Sequence, residues 1–324
     1  MSDTMKNRPT VVITVGINDK PRARLAEVAD LIDVASYDAD VLRKAVANAD
    51  GIVVRVPLPQ DIFEHGPRLR AVVRHGVGLD LIPMEEATKR RIPVANVPHG
   101  NARAVAEYCF AGLLEFSRNV GRIHRTFADG RDWNKARAIS DEAIEIGSMS
   151  LGVVGFGNIG QRVAALGRGF GMPVKVALRT PKAVPEGIEI TDIDGLFKTC
   201  DVIVLCCPSN AETKGLVSAA RLAMAKPSLI LVNPSRGAVV DGAALLSALT
   251  AKRIRGAILD VHEPTPLPKD SPYFALPNVL LTPHLAGITQ ESLDLTGRVT
   301  ASEMIRMLNG ERPEYLCNPE LYRQ

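Results

Sequence analysis

At the middle of the chain, the stretch SLGVVGFGNIGQRV sets Gly155, Gly157 and Gly160 between an apolar, β-branched run and a segment with helical spacing. Few backbones accommodate that combination. The first glycine permits a tight turn, the second lets the chain come close to a pyrophosphate, and the third lets the helix pack against the strand. The helix start, with Asn158 and Ile159, offers free N–H groups and the positive end of its dipole to phosphates. Glycine-rich turns alone are common. Here the strand before, the helix after and further strands downstream agree, so the expectation is a dinucleotide site.

The pattern on either side is repeated alternation. In the first hundred residues TVVITVG, LIDVAS, GIVVRV, LRAVVRHG and IPVANV read as buried strands of a parallel sheet. RARLAEVAD and DADVLRKAVAN between them have the apolar spacing of covering helices. One long apolar helix is expected over residues 102–127, followed by a polar segment, ADGRDWNKARAISDEAIEIG. A second set of strands then follows: SLGVVGFG, VKVAL, DVIVLCC, SLILVN, GAILDV and NVLLT. The amphipathic stretch 288–308 reads as a helix that packs on the first domain. The fold class expected is therefore α/β, with two Rossmann-like, doubly wound parallel-sheet domains. One comprises residues 1–102 and 288–324; the other, residues 103–287, is inserted into it.

Bulk properties narrow the function. With 39 basic and 36 acidic residues the net charge is +3, too balanced to suggest nucleic acid or a membrane surface as partner. No apolar run approaches a bilayer span, and MSDTMKNRPT lacks the apolar core of a signal peptide. Five cysteines, including the vicinal Cys206 and Cys207 in an apolar strand, show no metal-ligand spacing. Buried thiols of a cytoplasmic protein, with no metal site, are the expectation.

Cofactor choice is written at the end of the next strand, about 20 residues past the glycines. An NAD site places a carboxylate there for the ribose 2′-hydroxyl. This chain reads VKVALRTPK, with Leu178 in the acidic slot and Arg179, Thr180 and Lys182 after it. A leucine leaves a 2′-phosphate unopposed and a guanidinium grips one bidentately, so NADP is expected in preference to NAD, which stays possible.

RHGVGLDLIP, NVPHGNARAVAEY, GFGNIGQRVA, NPSRGAVVDGAALLSAL and LDVHEPTPLPKDSPYFALPNVLLTPHLAG occur in this order over nearly the whole chain. Together they resemble the D-isomer-specific 2-hydroxyacid dehydrogenases, and the strand end LRTPK is most similar to NADPH-dependent glyoxylate/hydroxypyruvate reductases. The resemblance implies an oxidoreductase acting on a small 2-keto or 2-hydroxy acid. Reducing a keto acid requires a proton donor for the carbonyl oxygen, and His284, after the last strand, has a suitable intrinsic pKa. Arg236 would hold the substrate carboxylate and polarise its carbonyl. Asp260 is matched to the residue near the nicotinamide carboxamide, and Cys206, Pro208 and Gly287 are assigned to the same cofactor site. The backbone N–H groups of Val77 and Gly78 are matched to the loop that receives the substrate carboxylate, with Arg55 near substrate. His75 and His99 are read as structural. The family often has an asparagine after the aspartate of this loop, where this chain has Leu81. The long helix and the arm RTFADGRDWNKARAISDEA suggest a homodimer built on the cofactor domains, which the resemblance supports.

One slot departs from the family. Its glutamate normally comes five residues after the aspartate matched by Asp260; here that residue is Thr265, with Glu263 two positions upstream. A glutamate there would raise the histidine's pKa and fix its ring. Either Thr265 hydrogen-bonds and orients His284, or Glu263 turns in to replace the missing carboxylate, or the site binds cofactor without turnover. The reading adopted is an active reductase that tolerates Thr265, with Glu263 structural. A cofactor-sensing binding protein and an NAD-linked 3-phosphoglycerate dehydrogenase are the alternatives.

Overall fold

The computed structural model describes residues 8–322. It divides into two compact units, one formed by the chain up to Asn101 and from Ile288 onward, the other by Ala102–Gly287. Each is built on its own wholly parallel sheet.

In the first unit the strands are β1 (Thr10–Thr14), β2 (Asp30–Val34), β3 (Gly51–Val54), β4 (Ala71–Arg74) and β5 (Val94–Ala95). They lie in the order β2-β1-β3-β4-β5. Residues of β1, β3 and β4 are buried on both faces, which is why these runs are continuously apolar rather than alternating. One face packs Leu42, Val46, Ile62 and Phe63. The other packs Val11, Ile13, Val53 and Val73 against Ala301, Met304 and Met307 of the helix Gln290–Leu308. That helix starts in a capping box between Thr289 and Ser292. Gly51 makes its approach possible, because a Cβ there would sit 2.6 Å from the Met304 sulfur. The chain order reverses between β1 and β3, and in an open α/β sheet such a point opens a crevice at the strand ends.

In the second unit the strands are β6 (Leu151–Val154), β7 (Val174–Ala177), β8 (Ile188–Ile190), β9 (Val202–Leu205), β10 (Ile230–Asn233), β11 (Gly256–Leu259) and β12 (Val279–Leu281). Their order is β12-β11-β10-β9-β6-β7-β8, with the reversal between β6 and β9. This is the doubly wound dinucleotide-binding arrangement. The α/β class with two Rossmann-like parallel sheets is thus observed.

One local expectation is corrected. The helix expected over 102–127 is two helices, Ala102–Arg118 and Val120–Gly130. Asn119 between them is left-handed (φ 53°), a conformation its short amide side chain tolerates better than most. The Glu115 carboxylate accepts the Gly121 N–H across the break. The segment after it, read as merely polar, contains a further short helix, Trp133–Ala138, capped by Asp132. The structure also adds an edge strand, β8. Its three residues are too few to give a periodic signal.

Candidate active site

The glycine turn follows β6 at the reversal of the second sheet. Gly155 is left-handed (φ 88°), and a Cβ on it would lie 2.9 Å from the Cys206 carbonyl oxygen at the end of β9. The neighbouring strand ends can approach this closely only with glycine there. A Cβ on Gly160 would strike the Gly155 carbonyl, so the helix Asn158–Gly169 packs directly on the turn. Gly157 meets nothing within 4 Å. Its open side, at the exposed start of that helix with Asn158 and the half-buried Ile159, is the cradle that a side chain would fill. These features fit a dinucleotide pyrophosphate.

Around this turn, Leu178 is half-buried against the sheet core, leaving no carboxylate at the end of β7. Arg179 is three-quarters exposed and lies 3.7 Å from the Glu212 carboxylate, which is similarly exposed. Thr180 is exposed beside it. Lys182 bends back, donating to the Phe156 carbonyl at 2.6 Å with its ammonium 5.0 Å from the Phe156 ring centre. A cation therefore rests on the glycine turn itself. Burial, then Cys109 and Cys207, push the Cys206 thiol well above its ordinary pKa. Pro208 is exposed, its carbonyl accepting the Thr213 hydroxyl.

The residues proposed for chemistry follow β10, β11 and β12. Beyond β10, buried Asn233 accepts from the Ser235 N–H and hydroxyl and donates to the Arg236 carbonyl. That shapes the turn and leaves Arg236 half-buried, one of its nitrogens on the Ser235 carbonyl. Gly237 next to it brings this turn against the one beyond β11, since a Cβ there would run into the His262 carbonyl group. Arg236 and the β11 turn are thus neighbours by construction.

Asp260, expected near the nicotinamide carboxamide, lies beneath the histidine loop. It is fully buried. Oδ1 accepts the Thr282 hydroxyl at 2.6 Å and the Leu285 N–H at 2.8 Å, and Oδ2 accepts the Ala286 N–H at 2.9 Å. Its carbonyl accepts the His284 N–H at 2.7 Å. His284 itself is exposed and left-handed (φ 58°), held there by the residues on both sides, with Gly287 in the turn that follows. His262, not singled out from the sequence, has Nε2 2.9 Å from the Thr282 carbonyl.

The Thr265 hydroxyl donates to the His262 carbonyl at 2.6 Å, which speaks against the alternative that it orients His284. A hydroxyl has one proton, and this one is spent closing its own loop. Glu263 is exposed and its carboxylate has no hydrogen-bond or ion-pair partner among the described residues.

In the first unit Arg55 ends β3 at the sheet's reversal point. It donates to the carbonyls of Val15 and Gly16, and burial lowers its pKa. Arg74, overlooked in the sequence, donates to the carbonyls of Val54, His75 and Gly78 and so shapes the HGVG loop from beneath. The Asn96 amide holds the Val77 carbonyl. Among the described residues neither the Val77 nor the Gly78 N–H has a protein acceptor. Two adjacent backbone donors thus stand on a loop braced by Arg74. His75 is buried with Nδ1 3.0 Å from the Thr300 hydroxyl. Burial, then Arg55 and Arg74, drive its pKa down to about 3. His99 packs edge-on to Tyr315. The described residues contain no cluster of three or more metal-ligating side chains, and none of their helices is long and apolar enough to cross a membrane.

Sheet order, glycine turn and donor loops define a nicotinamide-dinucleotide oxidoreductase of the doubly wound class. Residues 110–286 match the family model for the D-isomer specific 2-hydroxyacid dehydrogenase, NAD binding domain. The chain is 34% identical to a glyoxylate reductase of Pyrococcus furiosus, over 98% of this chain and 97% of that one. It is 33% identical to a D-3-phosphoglycerate dehydrogenase of Methanocaldococcus jannaschii over 95% of its own length, but spans only 59% of that relative. Its fold is similar (TM-score 0.86, 25% identity, 98% and 99% of the two chains) to an NADPH-dependent glyoxylate/hydroxypyruvate reductase from Sinorhizobium meliloti, solved with NADP and malonate. The chain belongs to the D-isomer specific 2-hydroxyacid dehydrogenase family and is an NAD(P)-dependent enzyme of it.

Proposed function

We propose that this enzyme reduces a small 2-keto acid of the glyoxylate/hydroxypyruvate kind to a D-2-hydroxy acid, or glycolate from glyoxylate, with NADPH preferred over NADH. The observation that carries the reading is the clamp of Asp260 on the loop of His284, beside the turn that holds Arg236. The unit Ala102–Gly287 is the cofactor unit and the other the substrate unit. Bound nicotinamide supplies hydride to C2 of the acid. His284 donates the proton to the carbonyl oxygen. Arg236 holds the carboxylate and polarises the carbonyl. The Val77 and Gly78 N–H groups receive anionic oxygen, with Arg55 adding positive potential. Arg179, Thr180 and Lys182 favour a 2′-phosphate, and no carboxylate stands at Leu178 to oppose it.

A homodimer and a cytoplasmic setting belong to the same reading. The helix Val120–Gly130 buries none of its residues, and Val120, Phe127 and Trp133 are exposed along the arm. Cys109, Cys200, Cys206, Cys207 and Cys317 are all free thiols. Light scattering of the protein and of Trp133→Glu tests the dimer; a monomer in the unaltered protein refutes it.

The activity is tested by following NADPH and NADH consumption with glyoxylate, hydroxypyruvate, phenylpyruvate and 3-phosphohydroxypyruvate. A rate with NADPH and the first two acids above the others bears out the reading. Turnover restricted to NADH and the phosphorylated acid overturns it.

A further inference from the structure

The histidine loop rests on a chain of hydroxyls that reaches the helix Ala102–Arg118. The Asp260 carboxylate takes a backbone N–H on each oxygen, Leu285 on Oδ1 and Ala286 on Oδ2. Both oxygens are therefore acceptors, and the Thr282 hydroxyl, 2.6 Å from Oδ1, is the donor there. Thr282 has a single hydroxyl proton. Its other neighbour, the Tyr108 hydroxyl at 2.6 Å, must then donate to it. The direction of every proton is fixed from Tyr108 through Thr282 to Asp260. Burial raises the Tyr108 phenol to about 12, which keeps the donor protonated.

We propose that Tyr108 and Thr282 are positioning residues for the loop that carries His284, acting through the orientation of the Asp260 carboxylate. Neither hydroxyl needs to touch a reactant. Three points of Thr282 are held: its hydroxyl by Tyr108 and Asp260, its carbonyl by His262, and its N–H by the Leu259 carbonyl. Two residues on lies His284, its backbone left-handed and its N–H on Asp260. Linked hydrogen bonds of one polarity strengthen each other, so removing the first donor weakens the grip of the last acceptor. Tyr108 lies within two turns of the start of its helix, so the relay ties that helix to the strand end bearing the proton donor.

The catalytic part of this inference rests on the reading of His284 given above; the positioning part does not. The test is amide hydrogen exchange of residues 284–286 in the full-length protein, with steady-state kinetics of the same variants. Tyr108→Phe and Thr282→Val are expected to speed exchange at Leu285 and Ala286 about tenfold, and Thr282→Ser to restore it. Their kcat falls about tenfold while KM for NADPH stays within about twofold. Unchanged exchange in Tyr108→Phe, a variant that preserves the ring packing, overturns the proposal even if Thr282→Val fails to fold. His284→Gln with full activity overturns the reading of the histidine, and the exchange result then judges the relay alone.

Discussion

The His284 N–H donates to the Asp260 carbonyl at 2.7 Å, while the Asp260 side chain accepts from the two residues that follow the histidine. One residue thus holds the loop by its main chain and its carboxylate together. Asp260→Asn keeps the size but swaps one acceptor oxygen for a donor, which then faces another donor. The expected cost is about 1–3 kcal/mol of stability, read by urea unfolding, with a loss of kcat beyond it.

With Thr265 turned to its own loop and Glu263 unpartnered, neither replaces the missing glutamate. His284→Gln is expected to lower kcat by about 10²- to 10⁴-fold. Glu263→Gln and Thr265→Val should leave it within about twofold, as exposed substitutions usually do. Steady-state rates of the three enzymes check this; a Glu263→Gln enzyme as impaired as His284→Gln would refute the assignment.

The glycines separate fold from binding. Gly157 has extended backbone and open space, so Gly157→Ala should fold normally yet weaken NADPH binding by roughly tenfold or more. Gly160→Ala forces the helix off the Gly155 carbonyl and should lower Tm instead. Leu178→Asp and Arg179→Ala should each shift the NADPH/NADH ratio of kcat/KM toward NADH by about tenfold. Cofactor fluorescence titrations and paired kinetics decide both.

His75 gives a pH dependence with a definite sign. Its folded pKa of about 3 lies below the ordinary value of 6.5, so the unfolded chain binds the extra proton between these values. Stability from this group is complete above pH 6.5 and is lost as pH falls toward 3. Between pH 7 and pH 5 the loss is about 2 kcal/mol. Urea unfolding at the two pH values should show it in the unaltered protein and not in His75→Asn.

The glycine turn and the apolar runs were legible because each is local: spacing and β-branching fix strand, turn and helix within a dozen residues. Asn119 was not, since one left-handed residue leaves the hydrophobic pattern of both helices intact. Nor was β8, three residues paired with β7 that are too short a run to carry a period. At the site, His284 and Arg236 stood out because they follow strands in segments that resemble the family's. The roles of Tyr108 and Thr282 depend on a pairing between distant segments, 108 with 282, that no sequence spacing encodes. The Thr265 hydroxyl, left with more than one possible role by the sequence, takes a purely local acceptor, the carbonyl three residues back.

The nesting of one unit within the other has a consequence for synthesis. Ala301, Met304 and Met307 cover Val11, Ile13, Val53 and Val73, yet the whole second unit is translated between them. At roughly 5–20 residues per second, the ribosome leaves that apolar sheet face bare for on the order of 10–40 s. The inserted unit, continuous in sequence, can fold in that interval. The nascent first sheet waits for its last helix, and during that wait the chain is most exposed to aggregation and most in need of a chaperone.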